Sequence, residues 1–228
     1  MPSLDRLIND IIVPNLPAYG DALLLTLQIS IISIIFGFVL GVVIGLGKTS
    51  TNRPVRWLCT MYVEIIRGTP LLVQIFIVYF GLPSLGIDLD RLTSGILAIG
   101  FNSAAYQAEI IRAGIQSIPV GQMEAARAIG MTRSQAMKKV ILPQALRLII
   151  PPMTNEFIIL IKDSSLVSVL GVIELTKLTQ NINQRFYEPL GLFLFLALIY
   201  LVLTYTTSHI LRHVEKKYAI PGYEVESK

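Results

Sequence analysis

The sequence has few of the residues on which soluble proteins and metalloproteins depend. Charged residues make up 15% of its 228 residues, against about 25% in a typical soluble domain. The single cysteine, Cys59, excludes an intramolecular disulfide and a thiolate metal cluster. The two histidines, His209 and His213, share a helix face by their spacing, but the sequence offers no third ligand beside them. We interpret them as part of a membrane-interface face rather than as a metal site.

A phosphate-binding loop is also missing. The string Gly47-Lys48-Thr49 ends like such a loop, but the required spacing places a glycine at position 42, where the chain has Val42. The string ends an apolar run, and no strand is predicted before it. We therefore expect the chain to hold no nucleotide, metal or other cofactor of its own.

Long apolar runs dominate what is present. Hydrophobic residues make up 53% of the chain, and a helix needs about 20 apolar residues to cross a bilayer core of about 30 Å. The fourth run is the most polar, because it contains Pro151, Pro152 and the polar residues 162–165. The sequence predicts an all-α integral membrane protein, one transmembrane domain over residues 1–228, with about five transmembrane helices near residues 22–46, 57–82, 94–115, 148–170 and 191–211.

Apolar residues at helical spacing predict an amphipathic helix on the outer interface within residues 1–20, without the marks of a cleavable signal peptide. Pro14 and Pro17 are expected to end that helix. The apolar positions are Leu4, Leu7, Ile8, Ile11 and Ile12.

Small residues recur every four positions on the first predicted span, at Gly37, Gly41 and Gly45. Such a spacing lets two helix backbones approach closely in lipid. We expect it to pack a helix of the same subunit or of a second one.

A polar stretch over residues 117–147 predicts a helical hairpin between spans. Gly130 can take the left-handed conformation that ends a first helix. Thr132 and Gln135 have the spacing of a capping box for a second helix. The other expected boundaries are Ser117 as the cap and Pro119 in the first turn of the first helix, and Pro143 at the end of the second.

The distribution of basic residues predicts the orientation. With the N-terminus outside and the C-terminus in the cytoplasm, the inner segments hold twelve basic residues: Lys48, Arg53, Arg56, Arg127, Arg133, Lys138, Lys139, Arg147, Arg212, Lys216, Lys217 and Lys228. The outer segments hold four: Arg6, Arg91, Lys177 and Arg185. The net charge of +4 reflects this asymmetry, and we expect no nucleic-acid partner.

The hairpin carries a motif that resembles the cytoplasmic coupling loop of bacterial ABC importer permeases. That signature is Glu-Ala-Ala, three residues, Gly, nine residues and Ile-x-Leu-Pro. The chain keeps the spacing, with Val140 in place of the isoleucine, at Glu124, Ala125, Ala126, Gly130, Leu142 and Pro143. Residues 64–72, 104–112 and 162–166 resemble the polar amino acid branch of the family, and the resemblance covers about residues 20–215.

The resemblance implies the permease subunit of an ATP-driven importer for a polar amino acid in the bacterial inner membrane. Its implied partners are a second permease (a copy or a close homologue), an extracytoplasmic substrate-binding protein, membrane lipid and a cytoplasmic ATPase that binds ATP and magnesium. The six motif residues would contact that ATPase. The alternative is a self-sufficient secondary transporter or channel, against which the missing internal repeat argues. A membrane enzyme would need a nucleophile, base or metal set that the chain lacks.

Ionisable residues inside the predicted spans are costly in lipid and are expected to face protein or a wet cavity. Glu109 and Arg112 are three residues apart, and we favour a structural pair that braces the hairpin. Glu64 and Arg67 have the same spacing and are equally consistent with a pair or a pathway. The residues expected along a substrate pathway are Glu64, Arg67, Gly68, Thr69, Pro70, Asn102, Asn155, Glu156, Lys162, Asp163 and Ser164.

These pathway residues match the chemistry of an amino acid. Pro70 should break the second span and free backbone groups near the midplane. Arg67 or Lys162 could bind the carboxylate, and the ammonium could be held by Asn155, Glu156 or Asp163. The seven ionisable groups within the spans, three positive and four negative, favour a cationic side chain on the substrate: Glu64, Arg67, Glu109, Arg112, Glu156, Lys162 and Asp163.

Overall fold

A computed structural model describes residues 4–218 and the side chains of residues 5–213. Within that part of the chain every regular element is a helix and no strand occurs, which confirms the all-α class. Of the residues named above, Lys228 lies outside the described part, as do the side chains of Leu4, Lys216 and Lys217. The helices are α1 (Val13–Lys48), α2 (Arg53–Arg67), α3 (Leu71–Phe76), α4 (Arg91–Gln116), α5 (Val120–Ala128), α6 (Arg133–Ala136), α7 (Leu142–Asp163), α8 (Leu175–Phe186) and α9 (Pro189–Tyr218).

The start of the chain is helical from Leu4 onward, so the prediction that Pro14 and Pro17 end a separate first helix is wrong. A π-helical segment, Leu7–Ile12, leads directly into α1, and the side-chain amide of Asn15 donates to the Ile11 carbonyl at 2.7 Å. These contacts pair backbone groups beside the prolines, and Pro14 lies in the first turn of α1, where an N–H is not needed. The apolar face packs on protein, since Ile11 is fully buried in one cluster with Leu175 and Leu192 of α8 and α9.

The centre of the fold is the pair α1 and α4, which meet along the predicted glycine spacing. A Cβ atom on Gly41 would lie 3.1 Å from the Ala104 carbonyl oxygen, and one on Gly45 would lie 2.9 Å from that of Ala108. The distance at Gly45 leaves no room for a side chain and the one at Gly41 leaves very little, so the two backbones are in direct contact. The prediction of close helix packing is confirmed, and the packing occurs within one subunit.

The second predicted span breaks where the sequence places Gly68, Thr69 and Pro70. Helix α2 ends at Arg67 and α3 begins at Leu71, and the two halves are bent by 103°. The predicted break is confirmed. The bend exceeds a simple kink, because Pro70 itself is extended, with ψ at 137°.

Two helical stretches are long and apolar enough to cross a membrane by composition alone, Leu7–Lys48 and Pro189–His213. The bent pair around Pro70 raises that number to three in the described part of the chain. Helices α4 and α7 have 26 and 22 residues, long enough to span, but they are more polar. Packing covers much of that polarity, since Ser103 and Gln107 of α4 are buried.

The hairpin forms as predicted at its bend. Gly130 has a φ of +88° between α5 and α6, and the Thr132 side chain accepts from the Gln135 backbone while the Gln135 side chain accepts from that of Thr132. The expected cap at Ser117 is wrong: its hydroxyl donates to the Gly114 carbonyl at 2.8 Å and closes α4. Pro119 takes the cap position of α5, without a side-chain hydrogen bond.

Pro143 does not end the second hairpin helix, contrary to the sequence prediction. A π-helical segment, Met137–Ile141, joins α6 to α7, and the Leu142 N–H donates to the Met137 carbonyl five residues back. Pro143 then lies in the first turn of α7, where its missing N–H costs little. The hairpin therefore continues as one helical path into the fourth span, which links any movement of the hairpin to α7.

Beyond α7 the chain turns and forms a corner before α8. A 3-10 segment, Ser164–Leu170, ends at Gly171, whose φ is +84°. Glu174 is fully buried and caps α8, accepting from the Lys177 N–H at 2.8 Å and from the Tyr200 hydroxyl of α9 at 3.1 Å. This carboxylate ties α8 to the last span.

Candidate functional site

The break in the second span is stabilised by side chains that replace lost backbone bonds. Pro70 has no N–H for the Ile66 carbonyl, and the Gln74 side-chain amide donates there instead at 2.7 Å. The Thr69 hydroxyl donates to the Ile65 carbonyl at 2.9 Å. Irregular backbone is tolerated at membrane depth where protein satisfies it and it lines a cavity.

A cavity of about 480 Å³ lies where this break meets α4 and α7. That volume falls in the range of about 300–1,000 Å³ common for small-molecule sites. Its lining is formed by Arg67, Gly68, Thr69, Pro70, Leu71, Asn102, Tyr106, Glu156, Ile159 and Asp163.

Most of the predicted pathway residues meet at this cavity, although the second and fourth spans are about ninety positions apart in the sequence. The residues that line it are Arg67, Gly68, Thr69, Pro70, Asn102, Glu156 and Asp163. Glu64, Asn155 and Lys162 are exposed and do not line it, and Ser164 is buried with its hydroxyl donating to the Ile161 carbonyl at 2.7 Å.

Arg67 is not paired with Glu64. Among the described residues no ion pair joins the two, and the guanidinium of Arg67 lies over the ring of Tyr106, with 5.1 Å from its Cζ to the ring centroid. A cation held on an aromatic face keeps its N–H groups available. The alternative of a structural Glu64–Arg67 pair is therefore wrong, and Arg67 faces the cavity.

Two carboxylates face the same cavity from α7. Glu156 is 8% exposed and accepts a hydrogen bond from the Ser103 hydroxyl at 3.2 Å, and Ser103 accepts from the Gln107 amide at 2.8 Å. Asp163 lies seven residues further on the same helix face and forms no ion pair with Lys162 in the described structure. The cavity therefore has one cationic and two anionic side chains.

Sequence reasoning overlooked several members of the site. Tyr106 lies four residues after Asn102, so helical spacing alone would have placed both on one face. Gln74 lies four residues after Pro70 and was the nearest amide able to pair with a freed carbonyl. Leu71 and Ile159 carried no polar signal that could have singled them out.

A second charged cluster braces the end of the bundle next to the hairpin. Glu109 pairs with Arg112, as predicted, and its other oxygen lies 2.7 Å from the Lys48 Nζ atom. Arg112 also bonds to Gln116 at the end of α4. The cluster joins α1 to α4 immediately before the hairpin, which begins at Ser117.

The hairpin motif is divided between packing and surface. Ala126 is buried at 4% exposure, Leu142 is half-buried, and the remaining motif residues are exposed. Three large apolar side chains of the hairpin are exposed: Val120 at 71%, Ile129 at 76% and Leu146 at 53%. These side chains are therefore accessible to a partner that binds the hairpin.

The sequence of the chain matches a known protein family. Residues 19–220 match the family described as the inner membrane component of binding-protein-dependent transport systems. The chain belongs to this family. It is a membrane-embedded transport subunit of an ABC importer, and permeases of this family work with ATPase and substrate-binding partners.

Individual relatives align with nearly the whole length of this chain. A probable glutamine ABC transporter permease protein, GlnM of Bacillus subtilis (strain 168), is 42% identical over 91% of this chain and 96% of its own length. The arginine transport system permease protein ArtQ of the same organism is 41% identical over 90% and 94%. A solved structure described as an amino acid ABC transporter with histidines matches with a TM-score of 0.85 at 41% identity, covering 90% of this chain and 96% of that one. The matches confirm the permease prediction and give no support to a self-sufficient carrier.

Proposed function

We propose that this permease subunit of an ABC amino acid importer carries a polar L-amino acid, and preferentially a basic one, through the cavity between the broken second span and α7. The observation that supports this proposal is that one cationic side chain, two carboxylates and exposed backbone line the same cavity. Arg67 supplies the cation, Glu156 and Asp163 supply the carboxylates, and Gly68 and Thr69 expose the backbone.

Each charged group of a basic amino acid has a partner in this proposal. The guanidinium of Arg67 binds the substrate carboxylate through charge-assisted hydrogen bonds. One carboxylate of α7 binds the α-ammonium group, and the other binds a cationic side chain. The relatives named for glutamine and arginine are 42% and 41% identical to this chain, so identity alone does not choose between them. The cavity has two carboxylates and one cationic side chain. The second carboxylate favours a substrate whose side chain is cationic.

The hairpin surface supports the proposed ATPase partner. We propose that Val120, Ile129 and the exposed motif residues dock in a groove of a cytoplasmic ATPase, which binds the ATP and Mg²⁺. A second permease, a copy or a close homologue, and an extracytoplasmic substrate-binding protein complete the transporter. Because α6 continues into α7, ATP-driven movement of the hairpin reaches the helix that carries Glu156 and Asp163.

The proposed location is the bacterial inner membrane, with the N-terminus outside and the C-terminus in the cytoplasm. The twelve-to-four distribution of basic residues supports this orientation. In a Cys59→Ala background, a membrane-impermeant thiol reagent should label the variants Ser84→Cys and Gln184→Cys in sealed cells. It should label Ser134→Cys only after the membrane is permeabilised. Labelling of Ser134→Cys in sealed cells would show that the orientation is the opposite of the one proposed.

The substrate site is tested by Asp163→Asn, which removes a charge with little change in volume. If Asp163 binds a cationic group, arginine binding should weaken by about 1.5–3 kcal/mol, roughly ten- to a hundred-fold. The measurement is arginine- and glutamine-stimulated ATP hydrolysis by the reconstituted complex, with basal hydrolysis reporting assembly. A loss for arginine that spares glutamine assigns Asp163 to the substrate side chain.

Glu64→Gln is the matched control. It makes the same acid-to-amide change at an exposed position that does not line the cavity, and we expect it to leave arginine binding unchanged. Thermal unfolding of both variants separates a binding loss from a folding defect. Normal arginine stimulation and normal stability in Asp163→Asn would remove this residue from the site.

A further inference from the structure

Gln74 is a buried polar residue that the transport proposal has not used. Its exposed fraction is 7%, and it lies on α3 just after the break. Its side-chain nitrogen lies 2.7 Å from the Ile66 carbonyl oxygen, 3.1 Å from the Thr69 carbonyl oxygen and 2.9 Å from the Thr69 hydroxyl, and its two N–H groups are shared among these three acceptors. Its side-chain oxygen accepts from the Asn102 amide at 3.0 Å.

These bonds join three parts of the molecule through one side chain. Ile66 lies before the break, Thr69 lies within it, and Asn102 belongs to α4. Thr69 and Asn102 both line the cavity, whereas Gln74 does not. Gln74 therefore lies directly behind two cavity-lining residues and fixes one relative to the other.

Satisfying the break does not by itself explain this arrangement. The carbonyl freed by Pro70 is that of Ile66, and a single donor would pair it. The bond to Asn102 joins Gln74 to a residue 28 positions away on another helix. It pairs no backbone group of the break. Its effect is on the cavity, because it holds the Asn102 amide in one orientation.

We infer that Gln74 is a positioning residue of the substrate site, which acts on the substrate through Thr69 and Asn102. The inference rests on the proposed function of the cavity. A site that recognises fixed polar groups of a small ligand needs its partners held within a fraction of an ångström. Gln74 supplies that restraint at the point where the backbone is irregular.

The test compares Gln74→Met with Ile75→Val in the reconstituted complex. Methionine is close to glutamine in size and cannot form these hydrogen bonds. Ile75 is fully buried on the same helix, and its truncation loosens the core without touching the break. We expect Gln74→Met to raise the L-arginine concentration for half-maximal stimulation of ATP hydrolysis about tenfold, because misplaced binding groups weaken recognition. The maximal rate should change much less, and Ile75→Val should leave the half-maximal concentration unchanged.

A double-mutant cycle with Asn102→Ala sharpens the result. If Gln74 acts through Asn102, the two changes in half-maximal concentration should combine to less than their product. A purely structural role would instead lower thermal stability and give independent effects on arginine. Effects that multiply fully would overturn the inference.

The outcomes separate this inference from the transport proposal. An unchanged half-maximal concentration in Gln74→Met, together with a raised one in Asp163→Asn, overturns the positioning role and leaves the site in place. No change in either variant overturns both. If Gln74→Met does not fold, Gln74→Glu decides, since it keeps the shape and the acceptor for Asn102 and replaces only the donor to Ile66 and Thr69. A rise smaller than that in Asn102→Ala is then expected, because only the restraint on Thr69 is lost, and no rise would overturn the positioning role.

Discussion

The hairpin and the substrate cavity are built in opposite ways. In the hairpin, the bend at Gly130 and the capping box of Thr132 and Gln135 join residues no more than five positions apart. In the cavity, Arg67 faces Glu156 and Asp163, which arrive from another helix. The hairpin follows from local backbone chemistry, whereas the cavity exists only after helices pack.

The prolines show the same contrast at smaller scale. Pro70 breaks its helix, while Pro17 and Pro143 do not. Pro70 follows a glycine and a threonine whose side chain competes for backbone carbonyls. Pro143 follows a π-helical segment that shifts the hydrogen-bond register before the missing donor is reached. In this chain the residues around a proline therefore decide whether the helix ends there.

The largest effect we expect comes from breaking an interior charge pair. Glu109→Gln leaves Lys48, whose side chain is 6% exposed, facing Arg112 without a carboxylate between them. Removing one partner of a buried pair costs about 3–5 kcal/mol, and since Glu109 is 23% exposed we expect the lower end of that range. The free energy of unfolding of the purified subunit measures this.

Glu124→Gln in the hairpin is the control for this charge removal. Glu124 is exposed, and such surface changes alter stability by about 0.5 kcal/mol or less. Equal losses in Glu109→Gln and Glu124→Gln would contradict the distinction between the interior cluster and the hairpin surface.

A smaller effect is expected at the hairpin bend. Gly130 has a φ of +88°, with open space where a side chain would lie, so Gly130→Val is opposed by the backbone alone. A β-branched residue held in that conformation costs about 1–3 kcal/mol. ATP hydrolysis coupled to transport should fall while membrane insertion is retained. Gly121→Val is the matched control, because Gly121 also has open space but lies in helix α5; identical coupling in the two variants would rule out a role for the bend.

The smallest effect is expected at the capping box. Thr132→Ala removes the acceptor for the Gln135 N–H and should destabilise the start of α6 by about 1 kcal/mol. Faster amide hydrogen exchange over residues 133–136 would report it. Ser117→Ala, which removes only a donor to the Gly114 carbonyl, should leave that exchange unchanged. Equal rates of exchange over residues 133–136 in Thr132→Ala and Ser117→Ala would contradict the conclusion that local interactions determine the structure of the hairpin.

Part of the candidate site could be predicted because costly residues stand out in an apolar chain. Arg67, Glu156 and Asp163 were identifiable since lipid does not tolerate unpartnered charge. The same reasoning also selected Glu64 and Lys162, which the fold leaves exposed and away from the cavity. Charge within a span indicates that a partner is needed, but not which side of the helix that partner occupies.

The sequence by itself determined the features that depend on neighbouring residues: the apolar runs, the break at Pro70, the capping box, the left-handed glycine and the transport family. Tertiary structure decided which charges share a cavity, that Lys48 joins Glu109, and that Gln74 restrains Asn102. The physical reason is the range of the interactions. Backbone dihedrals and capping bonds are set within about one helical turn, whereas side chains from different helices meet only after the packing of those helices fixes their rotation.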